Sequence, residues 1–124
     1  MFCSEENPSS TDLGFRTGVE IVKGVLAAHP GRKPTAADIA RALGVEATAL
    51  RRQQYRHCAP RIRNIVSYAC VRIALDMIRD DVKVEAALWT VGLKNRTNFN
   101  RQCRRYFGTL PSLERQRHIS EGIR

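Results

Sequence analysis

The sequence predicts an all-α fold in which two small helix-turn-helix subdomains are joined by a long central helix, with about seven helices in total. Apolar residues recur at steps of three and four along most of the chain, which is the period of an amphipathic helix. The longest unbroken run of this period spans residues 60–79. On either side of it a glycine follows a short apolar segment, at Gly44 and again at Gly92. A chain of 124 residues has room for one domain or two very small subdomains.

The first predicted helix begins after Thr17, and residues 1–16 are polar and acidic enough to predict a disordered tail. Thr17 and Glu20 have the spacing of a capping box, in which each side chain bonds the backbone of the other residue. The helix is expected to end at the segment HPGRKP, residues 29–34, because proline and glycine both interrupt helices.

Residues 17–59 are predicted to form the first helix-turn-helix subdomain. Thr35 can cap its second helix, and Asp38 at the third position is favoured by the helix dipole. A further helix is predicted at about 47–57. Such units typically carry a small residue for close packing, a glycine at the turn and an apolar residue that plugs the second helix onto the first. These positions are filled by Ala40, Gly44 and Leu50.

The segment 60–79 is predicted to be a linker helix. Its apolar positions step by three and four throughout and are Ile62, Ile65, Val66, Ala69, Cys70, Ile73, Ala74, Met77 and Ile78. Pro60 suits the first turn of a helix. About 20 residues at a rise of 1.5 Å each give a rod of roughly 30 Å.

Residues 80–119 are predicted to form the second helix-turn-helix subdomain. Asp81 is expected to cap a helix that begins at Val82, and Asn95 is expected to cap a helix over about 95–106. The other marks of this unit are the turn at Gly92, the core-facing Phe99, Cys103 and Phe107, the stop at Gly108, a short last helix from Pro111 and Ser112, and a tail at 120–124.

The distribution of charge indicates a polyanionic partner. The net charge is +9, from 21 basic and 12 acidic residues. Residues 31–64 and 94–124 each carry eight basic and two acidic side chains, whereas residues 65–93 carry three and four. Nucleic acid and an anionic membrane surface both fit such basic blocks. Each block contains the second helix of one unit, and in such units that helix enters the DNA major groove, so double-stranded DNA is the predicted partner.

The exposed faces of the two second helices carry the predicted DNA contacts. Arginine can bond guanine in a fork and asparagine can pair with adenine, whereas phosphates repel acidic side chains. In the second unit the predicted base readers include Thr97, Asn100 and Arg101. In the first unit they are Thr48, Arg51 and Arg52, with Gln53 or Gln54 as a further amide. The predicted phosphate contacts are Thr35, Lys94, Asn95, Arg104 and Arg105.

No metal site, cofactor or enzyme activity is predicted. The cysteines form no C-x-x-C pair and have no zinc-site spacing with histidine. No nucleophile stands beside a base, and no phosphate-binding loop is present in the sequence. An enzyme would need a reactive cysteine, for which Cys58 beside His57 is the candidate. The N-terminus is not a signal peptide and no apolar run could span a bilayer, so we expect no membrane contact and a cytoplasmic location.

The stretch VGLKNRTNFNRQCRRYFGTLP, residues 91–111, resembles a signature of the DNA-binding domain of AraC/XylS-type transcriptional regulators. That signature reads V-G-F, a variable stretch, F-x-R-x-F-x-x-x-F-G and then P-S. The segment ADIARALGVEATALRR corresponds to the first unit, and the resemblance covers roughly residues 17–117. Leu93 and Cys103 replace usual aromatics, and YRHCAP, which ends at Pro60, lacks an expected glycine and is about one residue short.

The resemblance implies that the base-contacting positions are Thr48, Arg51, Arg52, Arg96, Thr97, Asn100 and Arg101. It also implies a bacterial nucleoid-associated activator that contacts RNA polymerase. Only about 30 residues precede the first unit, too few for a separate effector domain, so the chain resembles the short stand-alone members that act as monomers on asymmetric sites. Two other interpretations remain open: a non-specific architectural DNA-binding protein, and the DNA-binding fragment of a larger regulator.

Overall fold

The computed structural model describes residues 14–111 and residue 113, and in this part of the chain it contains six α-helices and no strand. The helices are α1 (Phe15–Ala28), α2 (Ala36–Leu43), α3 (Ala47–Arg56), α4 (Ile62–Arg79), α5 (Val84–Val91) and α6 (Arg96–Phe107). The predicted all-α class is confirmed. Pro111 and Leu113 are helical, and the rest of the predicted last helix and the tail at 120–124 lie outside the described residues, as do residues 1–13.

The first helix begins earlier than the sequence predicts. Its N-cap is Gly14, which makes no side-chain cap hydrogen bond, and Thr17 lies inside the helix, so the predicted capping box at Thr17 is wrong. The Phe15 ring packs against Tyr68 of α4, with 4.8 Å between ring centroids. This tertiary contact keeps the extra residues helical, which a local capping signal could not reveal.

The predicted caps on either side of the linker also need correction. Helix α4 begins at Ile62 and not at Pro60, because the Pro60 carbonyl accepts a hydrogen bond from Gln54 Nε2 at 2.9 Å and belongs to the connection from α3. Asp81 does not cap α5, whose N-cap is Lys83. Asp81 has a φ of 73° and closes the C-terminal end of α4, where its N–H donates to the Ile78 carbonyl.

Helix α4 is the centre of the hydrophobic core. Its buried residues are Ile62, Ile65, Val66, Ala69, Cys70, Val71, Ala74, Leu75 and Ile78. Two of them, Val71 and Leu75, are outside the single apolar stripe that the sequence predicts. A helix buried on more than one side needs apolar residues on more than one face. Helices α1, α5 and α6 all pack against α4, so the linker is a core helix enclosed by both units.

The two predicted turn glycines take the left-handed conformation in both units, with φ of 75° at Gly44 and 76° at Gly92. After α3 the same conformation falls to Cys58, with a φ of 57°. The Cys58 N–H donates to the Tyr55 carbonyl and the Ala59 N–H donates to the Gln54 carbonyl. These two hydrogen bonds form a Schellman motif at the end of α3. Cys58 therefore stands where the sequence pattern leads one to expect a glycine.

The two helix-turn-helix units contact each other directly. The Gly31 N–H, in the loop between α1 and α2, donates to the Thr90 carbonyl of α5 at 3.0 Å. The Trp89 ring lies so close to Gly31 that a Cβ there would be 2.8 Å from it. A Cβ on Gly92 would overlap the backbone nitrogen of Lys33. The loop of the first unit is therefore seated on the turn of the second.

Candidate nucleic-acid interface

Helix α3 separates its inward and outward faces sharply. Leu50 is 1% exposed and plugs the helix into the first unit as predicted. The three base readers predicted on this helix are exposed: Thr48, Arg51 and Arg52. Gln54 is 2% exposed and bonds Pro60, so its alternative prediction as a base-reading amide is wrong.

Tyr55 is an exposed residue that the sequence analysis missed. The natural expectation for a tyrosine is packing at the edge of the core, yet 87% of Tyr55 is exposed on α3. It follows Thr48 by seven positions and Arg51 by four, which places the three side chains on one face of the helix. The helical period was the available signal, because Tyr55 falls outside the stripe that contains Leu50 and Gln54.

Helix α6 shows the same division. Phe99 is 1% exposed and Cys103 is fully buried, so both face the core as predicted. The exposed positions of this helix include Thr97, Arg101, Arg104 and Arg105, and Asn100 is half-buried. Asn95 caps the helix: its Oδ1 accepts a hydrogen bond from the Asn98 N–H at 3.0 Å. Lys94 is exposed directly before that cap.

Arg96 forms an ion pair with Glu85 that the sequence does not predict. Its Nη1 lies 3.0 Å from Oε2 of Glu85 on α5, eleven residues earlier in the chain, and both side chains are mostly exposed. The pair spans the turn between the two helices of the second unit. An exposed pair of this kind contributes little to stability, but it orients the guanidinium and offsets part of its charge.

Thr35 and Asp38 form the capping box of α2. The Thr35 hydroxyl accepts from the Asp38 N–H at 3.2 Å and donates to the Asp38 carboxylate at 3.1 Å, while the Thr35 N–H donates to the same carboxylate at 2.9 Å. Thr35 is exposed, as a phosphate contact must be, but its side chain is already committed to Asp38.

Two arginines complete the surroundings of the Asp38 carboxylate, which is 6% exposed. Arg32 bonds both of its oxygens, at 3.0 and 3.3 Å, and Arg41 lies at 3.2 Å. The backbone N–H of Thr35, helped by Arg32 and opposed by burial, holds the pKa of Asp38 well below its ordinary value. The carboxylate thereby links the loop before α2 to the helix itself.

A cluster of aromatic rings anchors the C-terminal end of α6. Tyr68 of α4 lies between the rings of Phe15, Tyr106 and Phe107, with centroid distances of 4.8, 5.4 and 5.3 Å. The Arg105 guanidinium lies 5.6 Å from the centre of the Tyr106 ring. The second candidate recognition helix is therefore fixed at one end by its cap and at the other by this cluster.

Positive charge is not offset within either candidate recognition helix. Neither α3 nor α6 contains an Asp or Glu. In the part of the chain described, no carboxylate pairs with Arg51, Arg52, Arg101 or Arg104. Two exposed arginine-rich faces, each backed by a buried plug, can attract and hold a polyanion.

The surroundings of the described cysteines bear on the enzymatic alternative. Burial raises the pKa of Cys103 to about 12 and that of Cys70 to about 11, which keeps both thiols protonated and unreactive. Cys58 is the exposed one of the three. Among residues 14–111, no three His, Cys, Asp or Glu side chains come together as a metal site. None of the six helices has the length and apolarity to cross a membrane.

Comparison with known proteins supports the fold. No known protein family matches this sequence, and no curated protein matches it either. Among solved structures, the chain is similar to a crystal structure described as a DNA-binding transcriptional dual regulator from Escherichia coli K-12. The TM-score is 0.66 over 90% of this chain and 97% of that chain, at 18% sequence identity. At that identity the two proteins share an arrangement of helices.

Proposed function

We propose that this protein is a sequence-specific, double-stranded DNA-binding transcription regulator of the AraC/XylS type, with α3 and α6 as recognition helices. One observation carries the proposal: both helices are second helices of helix-turn-helix units, and both expose arginines while containing no acidic residue. Such helices enter the major groove, where arginine and amide side chains read base edges. The fold shared with a DNA-binding regulator supports the same assignment.

Different side chains of each face take different roles. Arg101 and Asn100 near the middle of α6 are proposed to read bases, and Thr48 with Arg52 to do so on α3. Lys94 and Arg104 are proposed to bind phosphates, which position the helix without reading sequence. Arg96 must exchange Glu85 for DNA, or keep both partners, before it can contribute to base reading.

The geometry of the linker supports the use of both units on one duplex. Helix α4 has 18 residues, which gives a length of about 27 Å at 1.5 Å per residue. One turn of DNA is about 34 Å, so a core helix of this length is of the right size to support two recognition helices in successive major grooves. Because the units also contact each other through Gly31 and Thr90, we expect the DNA to bend toward the protein.

The resemblance to AraC/XylS regulators extends the proposal to how the protein works on a promoter. One chain brings two recognition helices, so a monomer suffices to occupy an asymmetric site. Activation would then come from contact between the bound protein and RNA polymerase. The test is in vitro transcription from a selected site placed next to a promoter, where an activator raises transcript yield and a repressor lowers it.

Selection of bound sequences from a random duplex pool at physiological salt tests the central claim. We expect two conserved blocks about 10 base pairs apart without palindromic symmetry. A single block would show that one unit does not read bases. Binding without any enrichment would contradict the proposal and favour an architectural DNA-binding protein, whose affinity depends steeply on salt and not on sequence.

A further inference from the structure

A cavity of about 320 Å³ lies where the first helix-turn-helix unit meets the start of α4; we call it the junction cavity. Arginines from two directions line it: Arg51 from α3, and Arg61 and Arg63 from the N-terminal end of α4. The other lining residues are Ala36, Gln54 and Ile62. At about 30 Å³ per water molecule in the liquid, the space equals roughly ten waters, enough for a phosphate group with part of its hydration shell.

The charge of this cavity is of one sign. No carboxylate lines it, and among the described residues none pairs with Arg51, Arg61 or Arg63. A larger cavity beside α1 and α4 differs, because Glu20 and Asp76 lie among the residues that line it. Arginines of like charge that line one space repel each other unless an anion is present, and the fork of N–H donors on a guanidinium fits phosphate oxygens.

The walls of the junction cavity are held in place by the core. Gln54 is 2% exposed, and its Nε2 donates to the Pro60 carbonyl at 2.9 Å, which fixes α3 against the start of α4. Ile62 is 4% exposed and anchors the first turn of α4. Ile62 is the first residue of α4, so the dipole of that helix adds positive potential at this place, whereas the N-terminus of α2 is already capped by the Asp38 carboxylate.

We propose that the junction cavity binds one phosphate of the DNA backbone beside the groove that α3 enters. The inference rests on the proposed function, since it assumes that α3 is a recognition helix. It assigns a phosphate contact to Arg61 and Arg63, which the sequence motifs do not single out. It also gives Arg51 a phosphate contact in addition to its predicted contact with a base. A phosphate held at this junction fixes the first unit and the core helix on the DNA together.

The test combines a double substitution in the protein with single neutral phosphates in the DNA. Arg61→Gln/Arg63→Gln and wild type are titrated onto a selected duplex in which one phosphate at a time is replaced by an uncharged methylphosphonate. At the phosphate that occupies the cavity, neutralisation should weaken wild-type binding about tenfold and leave the double variant almost unchanged. The slope of log K against log salt should fall by about one unit in the double variant.

The control is Arg16→Gln, which removes an exposed charge on α1 that does not line the junction cavity. It should respond to every methylphosphonate as wild type does. If the double variant loses affinity by the same factor at every phosphate position, Arg61 and Arg63 act through general attraction and the proposal is overturned. If the double variant is less stable, its affinity falls equally on every duplex. Only the difference between the neutralised and the unmodified duplex is therefore compared.

A second measurement examines the cavity without DNA. Inorganic phosphate is titrated into the wild-type protein while backbone amide NMR signals are recorded. Saturable shifts at Ala36 and Ile62 that vanish in Arg61→Gln/Arg63→Gln support the anion site, and their absence in wild type overturns it. If these shifts occur but no methylphosphonate couples to the double variant, the cavity binds free phosphate and the assignment to DNA is wrong. Loss of sequence preference with the shifts intact would reject only the proposed function.

Discussion

Cys58 has a backbone conformation that is energetically unfavourable for any residue other than glycine. Its φ of 57° lies in the left-handed region, where a side chain costs about 1 kcal/mol or more and glycine does not incur that cost. We predict that Cys58→Gly raises the free energy of unfolding by about 0.5 kcal/mol, the gain in the folded state being partly offset by a more flexible unfolded chain. Urea denaturation would measure it.

The control for this prediction is Cys58→Ala, which keeps the left-handed cost and so should give no stabilisation. If alanine stabilises as much as glycine, the gain comes from removing the thiol and the backbone explanation is wrong. The outcome also bears on the departure from the AraC/XylS pattern, because it shows whether a cysteine replaces the expected glycine at a measurable cost.

Asp38 makes stability depend on pH. Since the folded protein holds its pKa below the unfolded value of about 3.9, the carboxylate contributes its full stability above that value, and the contribution falls as pH drops below about 4. We predict that Asp38→Asn lowers the free energy of unfolding by about 2 kcal/mol at pH 7. The difference from wild type should shrink between pH 4 and more acidic conditions, as followed by urea titrations at several pH values.

Asp76 supplies the comparison for that pH dependence. Its carboxylate also meets two arginines, Arg72 and Arg79, but its side chain is 38% exposed. Asp76→Asn should therefore cost less than 1 kcal/mol, as exposed ion pairs do. A pH-independent difference between wild type and Asp38→Asn would mean that the carboxylate charge is not what stabilises the start of α2.

Helix α6 carries two arginines to which the proposed function gives different roles, base reading and phosphate binding. Arg101 and Arg104 are both exposed, lie three residues apart and have no acidic partner among the described residues. We predict that Arg101→Ala costs about 1–3 kcal/mol of binding to the selected site and relaxes preference at one base position. Arg104→Ala should weaken binding to all sequences alike and lower the salt slope by about one unit.

Competition binding to the selected duplex and to a scrambled one, each at several salt concentrations, would check both effects. Arg16→Ala, which removes an exposed arginine of α1, serves as the reference. Equal weakening of Arg101→Ala on both duplexes would remove its role as a base reader. A sequence-dependent effect of Arg104→Ala would exchange the two assignments.

The helices were predictable because their signals are local and repeated. The period of three and four residues predicted most of the described helices, Leu50 after the turn at Gly44 predicted α3, and Gly44 and Gly92 marked both turns. The errors occurred where tertiary contacts decide. Phe15 extends α1 by packing against Tyr68, and Asp81, a plausible N-cap by its chemistry, ends the preceding helix in a left-handed conformation. Local capping preferences cannot separate these cases.

The candidate site was predictable to a similar depth and for similar reasons. Exposure of Arg51, Arg101 and their neighbours follows from the helical period once Leu50 and Phe99 are placed inside. The pairing of Arg96 with Glu85 depends on how α5 and α6 cross, which no sequence spacing of eleven residues specifies. The junction cavity likewise depends on where α3 meets the start of α4.

The relation between the two units is a property that neither unit shows alone. Two helix-turn-helix units joined by one linker helix suggest two parts that could move independently. The structure instead encloses α4 in the core and joins the loop at Gly31 to Thr90 of the second unit. The two arginine-rich faces are therefore held at a set spacing. Under the proposed function, the DNA and not the protein would adjust to that spacing.

Substitution of the two turn glycines would show how much the contact between the units contributes to the free energy of unfolding. Both are left-handed, with φ of 75° at Gly44 and 76° at Gly92. A Cβ at Gly44 would meet nothing within 4 Å, whereas one at Gly92 would overlap the backbone of Lys33 in the other unit. Gly44→Ala should therefore lose only the cost of the left-handed conformation, about 1 kcal/mol, and Gly92→Ala about 2 kcal/mol more. Urea denaturation of the two variants gives the difference directly. Equal losses would mean that the loop at Lys33 moves without cost. The spacing of the two candidate recognition helices would then depend on the packing around α4 alone.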